Sequence, residues 1–304
     1  MSSISRSFHL FAAATFIIAL SVNVSHAGEQ LRWHASVGDK FAVVATQKMD
    51  QVLTVEDKTY EIPNSMKMWM TWSVLDVSET GSITISQTFD RISMTTAAPN
   101  LGELKYDSDS KEEPIGAVKK IADILKPMIG AKFVQRMTSR GLILDLRVPR
   151  EALQGMNANP LLKEFFSDSS FKEMMKKVSP VFPSEEIEMG HSWEASSKNA
   201  TPVGTMIIDS KYVYEGKEER DGKSLAKISS KVNLAFEEGK GPAGTDIKIT
   251  EQENSGTAFF DSQAGHFVDT TMTQDITMEV SVNGSTVNQK IVTKLQMTMS
   301  PIEN

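Results

Sequence analysis

The stretch TMTQDITMEVSVNGSTVNQKIVTKL, residues 271–295, indicates how this chain folds. Apolar and polar side chains alternate before Asn283-Gly284, with the two-residue period of a half-buried strand. Asn-Gly is a preferred two-residue hairpin turn, so strands 272–282 and 285–295 are predicted to pair around it. The predicted cross-strand pairs are Val280–Val287, Ile276–Ile291 and Met272–Leu295. All of them bring apolar side chains together on one face, which determines the register.

Strand patterns also occupy most of the remaining chain. Residues 31–106 read as strands, and 66–77 with 82–94 form a predicted hairpin around Glu79-Thr80-Gly81. Residues 190–304 return to the same pattern. These regions predict antiparallel strands joined by short turns.

Residues 107–180 differ in kind and read as a helix-rich insertion. Apolar side chains recur there at spacings of three and four, which predicts an amphipathic helix over 115–129. They are Ile115, Val118, Ile121, Ile124, Leu125 and Met128. A strand pair is predicted over 131–148, and two short helices over 161–166 and 171–178.

The predicted fold class is therefore α+β, with predominantly antiparallel β structure. We expect a single β-rich domain over residues 28–304 that forms a large curved sheet. The helical insertion should pack on one face, because an uncovered face is a liability. Three short matches in the same order raise the alternative of a two-fold repeated β unit. The matches are Gly38–Phe41 with Gly190–Trp193, Glu79–Gly81 with Arg220–Gly222, and Gly141–Asp145 with Gly265–Asp269.

The first 27 residues read as a signal peptide. Arg6 precedes an apolar run from Phe8 to Leu20, and Ser25-His26-Ala27 supplies small residues before a cleavage point. The mature chain is then predicted to begin at Gly28 and to be exported, to the periplasm or the extracellular space. No later apolar run approaches the length of a membrane-spanning helix.

Composition excludes several classes of function. The chain has 304 residues, 32 basic and 39 acidic side chains, and no cysteine. Disulfides, thiolate metal sites and thiol nucleophiles are therefore excluded. A mildly acidic chain without a basic cluster is also a poor binder of nucleic acid.

These signals together resemble a family of exported bacterial proteins of about this length, known only as a domain of unknown function. The resemblance rests on turns and strand starts along most of the mature chain. They are Leu31-Arg32-Trp33, Gly38–Phe41, Gln47-Lys48-Met49, Trp72-Ser73-Val74, Thr80-Gly81, Gly190–Trp193 and Phe260–Gly265. The resemblance implies export and one β-rich unit, and it carries over no functional residue.

No constellation in the sequence predicts catalysis, a metal site or a cofactor. His34, His191 and His266 are isolated from one another, and the last two read as surface residues in turns. No Gly-x-Ser-x-Gly motif is present. Asp145 and Asp269 hold matched positions in the proposed repeat and offer a pair of carboxylates for acid–base work. Outward strand residues beside turns are the simpler interpretation.

Methionine is the unusual feature, with 17 residues, many of them on predicted strand faces. Copper(I) binding by Met-x-Met-x-Met is one interpretation, although the histidines and exposed methionine clusters typical of such sites are missing. A pliable apolar surface for an irregular ligand is another, and plain core packing is the simplest. The ligand interpretation predicts an apolar pocket under the 115–129 helix. Its predicted lining is Met68, Met70, Trp72, Met278 and Met297.

Three functions remain open at this point. The first is an exported, non-enzymatic carrier or binding protein for an apolar ligand such as a lipid. The second is a structural or protein-interaction component of the cell envelope, and the third is a hydrolase with an unrecognised site. A solid interior without a ligand-sized cavity would favour the second, and a converging His/Asp/Glu cluster in a cleft would favour the third.

Overall fold

A computed structural model describes residues 28–56, 58–98, 101–157, 181–201, 204–237, 245–282 and 285–303. Within these ranges one 12-stranded sheet dominates, and all its strand pairs are antiparallel. The strands are β1 (Lys40–Val55), β2 (Lys58–Val77), β3 (Ile83–Ala98), β4 (Gly102–Asp107), β5 (Lys132–Met137), β6 (Ile143–Arg147), β7 (Ser192–Thr201), β8 (Gly204–Arg220), β9 (Lys223–Phe236), β10 (Thr245–Asp261), β11 (His266–Val282) and β12 (Ser285–Pro301). The prediction of mostly antiparallel β structure is confirmed.

The strands lie in the order β6-β5-β3-β2-β1-β12-β11-β10-β9-β8-β7, with β4 beside β3 and off this path. The chain thus forms one meander from β1 outward to β6 and a second from β7 inward to β12. The first and last strands pair in the middle, from Phe41 opposite Pro301 to Val55 opposite Val287. This central pairing joins the two meanders into one sheet.

The hairpin of β11 and β12 has the predicted register. Its pairs include Val280–Val287, Ile276–Ile291 and Met272–Leu295. The pairing continues to Asp269 opposite Thr298, so both strands are longer than predicted. Asn283 and Gly284 themselves lie outside the described residues. The Asn-Gly turn signal and the apolar pattern were together enough to predict which residues face each other.

The predicted pairs in the first half are also confirmed. β2 and β3 form the expected hairpin, with Met66 opposite Met94 and Val77 opposite Ile83. β5 and β6 are the strand pair predicted within 131–148. β5 also pairs with β3, which extends the sheet beyond the hairpin.

The described helices are short. α1 (Gly116–Leu125) continues as a 3₁₀ turn over Lys126–Met128, and α2 spans Arg150–Asn157. The α-helix ends before Pro127 because proline has no N–H to donate and its ring clashes with the preceding turn. α1 contacts β4, the 3₁₀ turn and α2. The expectation that helices cover one face of the sheet is not confirmed by these elements, and the predicted signal peptide and helices 161–166 and 171–178 fall outside the described residues.

The sheet is strongly curved at one rim. Trp33 N donates to Ser139 O at 2.7 Å, and the next residue, His34, donates to Gly265 O at 3.2 Å. These acceptors lie in the β5–β6 and β10–β11 turns, which are five strand steps apart, or about 24 Å in a flat sheet. Consecutive residues are only about 3.8 Å apart. The two halves must therefore curl towards each other. Residues 28–36 run between them, and we call this segment the N-terminal strap.

Two apolar clusters fill this curled rim. The first is centred on Leu31, Phe182 and Phe260 and the second on Phe41, Val43 and Ile83. Trp33 packs against both clusters, and its ring meets Phe267 edge-on with centroids 5.4 Å apart. Glu29 and Ile187 exchange two backbone hydrogen bonds, which ties segment 181–188 to the N-terminal strap. The rim is thus a packed core.

The three sequence matches fall at equivalent places in the two meanders. Gly38–Phe41 and Gly190–Trp193 open β1 and β7, the first strand of each meander. Glu79–Gly81 and Arg220–Gly222 turn the second strand into the third. Gly141–Asp145 and Gly265–Asp269 lead into the last matched strands, β6 and β11. The two members of each match lie six positions apart in the strand order of the sheet.

Candidate functional site

One face of the sheet collects the apolar side chains. Residues opposite each other in neighbouring strands share a face, and every second residue along a strand returns to it. Following the register from Met66 through Gln47, Leu295 and Met272 to Gly256 traces one row of this face. We call it the inner face, because the two rim clusters lie on it. All five residues predicted to line a pocket belong to it.

The structure brings four of these five residues near each other. Ala45 is paired with both Met68 and Met297, and Met70 and Trp72 follow along β2. Met278 pairs with Gln289, which pairs with Leu53, eight residues from Ala45 and about 26 Å along the strand. Met278 therefore lies towards the opposite rim, away from the other four.

Three of those four residues contact the second rim cluster. Met70, Trp72 and Met297 are partly buried and pack against the cluster that contains Phe41 and Val43. Such contacts are what core side chains make, and they leave Met68 as the residue of the set outside the cluster.

A cavity does adjoin the predicted helix. It measures about 690 Å³ between α1 and the β3–β4 edge. Its apolar lining includes Met94, Tyr106, Ile115 and Val118, and the five predicted residues are not among its described lining. Ile115 is 80% exposed, so this space opens widely to solvent.

A different site emerges where the sheet splits. β9 and β10 are paired only from Ala226 opposite Phe260 to Lys231 opposite Ser255. Beyond that point β9 keeps its pairing with β8, and β10 keeps its pairing with β11. Within the described residues, 232–236 and 245–254 thus separate from each other inside the sheet. We call this opening the β9–β10 split.

Two amide side chains bridge the start of the split. Gln252 Oε1 accepts a hydrogen bond from Leu234 N at 2.8 Å, and Gln252 Nε2 donates to Leu234 O at 2.8 Å. Asn254 Nδ2 donates to Gln252 Oε1 at 2.9 Å and to Val232 O at 3.3 Å. These amides satisfy backbone groups that a neighbouring strand would otherwise pair.

The network determines which atom of Asn254 is the oxygen. Its nitrogen faces two acceptors, Gln252 Oε1 and Val232 O, so a flipped amide would place oxygen against both. Asn254 is 6% exposed, and its Oδ1 is buried without a hydrogen-bond partner among the described residues. A buried acceptor left in this way costs about 1–3 kcal/mol.

A cleft of about 820 Å³ occupies the split, and residues of both sheet faces line it. Ser210, Val232 and Asn254 belong to the inner face. The charged lining comes from the outer face and carries both signs. It consists of Glu194, Asp209, Lys211, Lys231 and Glu253. With three carboxylates and two lysines, this lining has no excess of positive charge that would attract an anion.

An apolar cavity of about 170 Å³ adjoins this cleft on the inner face. The two share the lining residues Ala195, Ser196, Ser210 and Val232. The apolar side chains of the cavity come from β7, β8, β9 and β11. They are Ala195, Ile208, Tyr212, Val232, Leu234 and Met272. The two spaces thus lie against the same strands, the smaller one apolar on the inner face and the larger one polar at the split.

Tyr212 lies partly buried in the wall of the inner cavity. Burial raises the pKa of its hydroxyl above the ordinary value, while a hydrogen bond with Ser210 lowers it. The ring stacks on Trp193 with centroids 5.4 Å apart. A neutral phenol in a desolvated wall suits an apolar occupant.

Gln252 and Asn254 were not singled out by the sequence pattern. One feature of the sequence could have pointed to them. Ile247 and Ile249 occupy odd positions, whereas Gly256, Ala258 and Phe260 occupy even ones, so the alternation changes phase between the two groups. The phase change comes from a bulge between Ile249 and Glu251. It places two amides on a face that otherwise carries mainly apolar side chains.

The isolated histidines and carboxylates have local structural roles. His266 is 2% exposed and packs its ring 5.1 Å from Phe41, so the expectation of a surface histidine is wrong for this residue. Asp145 and Asp269 each lie near an arginine of their own meander, Arg147 at 3.4 Å and Arg220 at 3.6 Å.

Two features are absent from the described part of the chain. No group of three or more histidine and carboxylate side chains there is placed to hold a metal ion. None of the helices in the same part of the chain has the length and apolar character needed to cross a membrane.

Comparison with solved structures gives remote likenesses. A lipovitellin structure concerned with lipid–protein interactions is 10% identical, with a TM-score of 0.47; the match covers 87% of this chain but 25% of that one. A proposed outer membrane lipoprotein-sorting domain from Vibrio parahaemolyticus is 12% identical, with 86% and 85% covered and a TM-score of 0.19. A proposed exported protein with a YmcC-like fold from Bacteroides fragilis is 9% identical, with 88% and 97% covered and a TM-score of 0.22. TM-scores below 0.5 establish neither a common fold nor a common function.

Sequence comparison shows which family the chain belongs to. No curated protein sequence matches the chain. A family model described as a family of unknown function, DUF6263, matches residues 80–300, which is well over half of the chain. This span includes α1 and strands β3 to β12 with the β9–β10 split. The chain therefore belongs to the DUF6263 family.

Proposed function

We propose that this protein binds an apolar or amphipathic small molecule in the inner cavity and the adjoining β9–β10 split. The observation that carries the proposal is the apolar cavity walled by Ile208, Tyr212 and Met272, which shares four lining residues with the larger cleft. The cavity alone is smaller than a usual ligand site of roughly 300–1,000 Å³, but the adjoining cleft falls within that range.

Burial of an alkyl chain supplies the binding energy in this proposal. Each methylene removed from water contributes about 0.8 kcal/mol and needs no fixed polar partner. Met272 and Leu234 are flexible enough to adapt to an irregular chain. The alternative, a purely structural envelope component, is supported by the contacts of Met70, Trp72 and Met297 with the rim core.

Nile red binding tests the proposal, because the dye is neutral and fluoresces in apolar surroundings. We expect micromolar binding to the full mature chain and displacement by methyl decanoate. Met272→Trp should fill the cavity and weaken dye binding at least tenfold, a loss of about 1.4 kcal/mol. Thr273→Trp adds the same bulk on the opposite, exposed face of β11 and should leave binding unchanged.

Two outcomes would overturn the carrier proposal. One is no saturable dye binding by the folded wild type, and the other is equal loss in the Met272 and Thr273 variants. Either outcome would favour the structural alternative. Native mass spectrometry of protein taken from its own cells adds an independent readout, since a carrier should retain a bound mass.

The proposal places the protein outside the cytoplasm, on the strength of the predicted signal peptide. Intact-mass analysis of the mature protein should then show a chain that begins at or near Gly28. A mass that retains residues 1–27 would contradict export by cleavage.

A further inference from the structure

We infer that the β9–β10 split selects amphiphiles whose head group is neutral and donates a hydrogen bond, such as a fatty amide. This inference rests on the proposed function and specifies the ligand class of the same site. The alkyl chain would occupy the inner cavity, and the head group would lie in the split beside Asn254. The hydrogen-bonding group of Asn254, and not cavity size alone, determines which head group is preferred.

Asn254 Oδ1 is the group that recognises the donor. It is buried, it has no partner among the described residues, and the hydrogen bonds of Asn254 Nδ2 fix it as an acceptor. Gln252 presents its oxygen to Asn254, because Gln252 Oε1 accepts from Asn254 Nδ2 and Gln252 Nε2 donates to Leu234 O. An N–H or O–H of a ligand satisfies this acceptor, whereas an ester or a carboxylate brings only further acceptors.

The surrounding charges favour a neutral head group. Glu194, Asp209 and Glu253 line the cleft together with Lys211 and Lys231. A fatty-acid carboxylate would meet no excess of positive charge there and would place its oxygens against Asn254 Oδ1. A primary amide carries no charge and can donate to this oxygen, so we expect it to bind more tightly.

The position of the acceptor also matches an amphiphile. Asn254 lines the cleft, and Val232, whose carbonyl accepts from Asn254, lines both the cleft and the apolar cavity. A head group beside Asn254 therefore has its chain at the mouth of the cavity walled by Leu234 and Met272. One ligand can satisfy both parts of the site.

The test compares decanamide with methyl decanoate in displacing Nile red from the full mature chain. The two probes share an alkyl chain and differ in the donor. We expect the ratio of amide affinity to ester affinity to be roughly 3- to 10-fold higher in the wild type than in Asn254→Leu, as one hydrogen bond would give. Comparing this ratio between the two proteins cancels the different affinities of the two probes for water.

Matched variants separate recognition from folding. Asn254→Leu should lose the amide preference, and binding of methyl decanoate by the same variant is the reference for that loss. Asn288→Leu makes the same exchange at an exposed position on β12 and should retain the preference. A second readout needs no variant: the side-chain amide resonances of Asn254 should shift with decanamide and stay in place with methyl decanoate.

The outcomes distinguish the two proposals. An amide-to-ester affinity ratio that is the same in the wild type and in Asn254→Leu, with resonances of Asn254 unmoved by either probe, overturns this inference and leaves the carrier proposal standing. A preference that persists in Asn254→Leu also overturns it. Failure of the wild type to bind Nile red or either probe overturns both.

Discussion

Gln252 pairs with Leu234 as a strand would, but through its side chain. Gln252 Oε1 accepts from Leu234 N and Nε2 donates to Leu234 O, each at 2.8 Å. The amide group thus supplies the donor and acceptor that a backbone peptide of β10 would supply in an unbroken ladder. This substitution allows the sheet to open at the split without leaving the polar groups of Leu234 unpaired.

Replacing this bridge should loosen β9 locally. Gln252→Leu leaves Leu234 N–H and C=O without their partner, and we expect a loss of about 1–3 kcal/mol in unfolding free energy. Hydrogen exchange at the Leu234 amide should accelerate, while amides over 227–230, within the ladder to β10, should keep their protection. Unchanged exchange at Leu234 would show that the bridge contributes nothing.

Substitution of Gly265 in the β10–β11 turn tests whether the N-terminal strap holds the sheet in its curled form. Gly265 has φ +73°, and an added Cβ would lie 2.5 Å from the ring of His34. Gly222 has φ +76° with nothing within 4 Å of such an atom. Gly222→Ala should cost about 1–2 kcal/mol for the left-handed backbone alone.

Gly265→Ala should exceed that loss by about 1–3 kcal/mol, because His34 and its backbone must move. Chemical denaturation of the two variants measures the difference. Equal losses would mean that the contact between strap and turn is soft and that it does not hold the rim together.

The terminal hairpin should tolerate charge on one face and not on the other. Ile276 is 7% exposed on the inner face, opposite Ile291. Ile276→Asp buries an unpaired charge, so we expect a loss of about 3 kcal/mol or more. Thr271→Asp, at an exposed outer position of the same strand, should change stability by less than about 0.5 kcal/mol. Similar losses in both variants would contradict the assignment of the two faces.

The ion pair of Arg91 with Asp107 predicts how stability changes in acid. Arg91 Nε donates to Asp107 Oδ1 at 3.0 Å and NH2 donates to Oδ2 at 2.6 Å, which lowers the pKa of the Asp107 carboxyl. Its contribution is present above the unfolded value of 3.8 and is lost as the pH falls through the lower folded value. The stability gap between wild type and Asp107→Asn should therefore shrink below about pH 4.

A double-mutant cycle isolates that effect. In an Arg91→Met background, the exchange Asp107→Asn should show a much smaller dependence on pH, because the partner that lowers the carboxyl pKa has gone. Urea denaturation from pH 2 to pH 7 provides the measurement. A gap that stays constant on acidification would contradict a stabilising role for this pair.

Sequence reasoning reached the pairing of strands but not the site. Alternating side chains around Asn283-Gly284 predicted the register of β11 and β12, because slipping by one residue would turn Ile276 out and Thr277 in. The same alternation placed Met68, Met70, Trp72, Met278 and Met297 on one face. It carries no information on how far apart two such residues lie across a sheet of unknown strand order, so the distance between Met278 and the others could not be derived.

By itself, then, the sequence determined the antiparallel β class, the register of the β11–β12 hairpin and the helix predicted over 115–129, which the structure has as α1 and its 3₁₀ turn. Each depends on contacts between residues close in the chain. The tertiary structure alone decided the pairing of β1 with β12, the curl that Trp33 and His34 impose, and the β9–β10 split. These features join residues far apart in the chain, and local periodicity does not specify such contacts. Gln252 and Asn254 acquire their roles only there, since an amide in a strand becomes a bridge when the neighbouring strand has moved away.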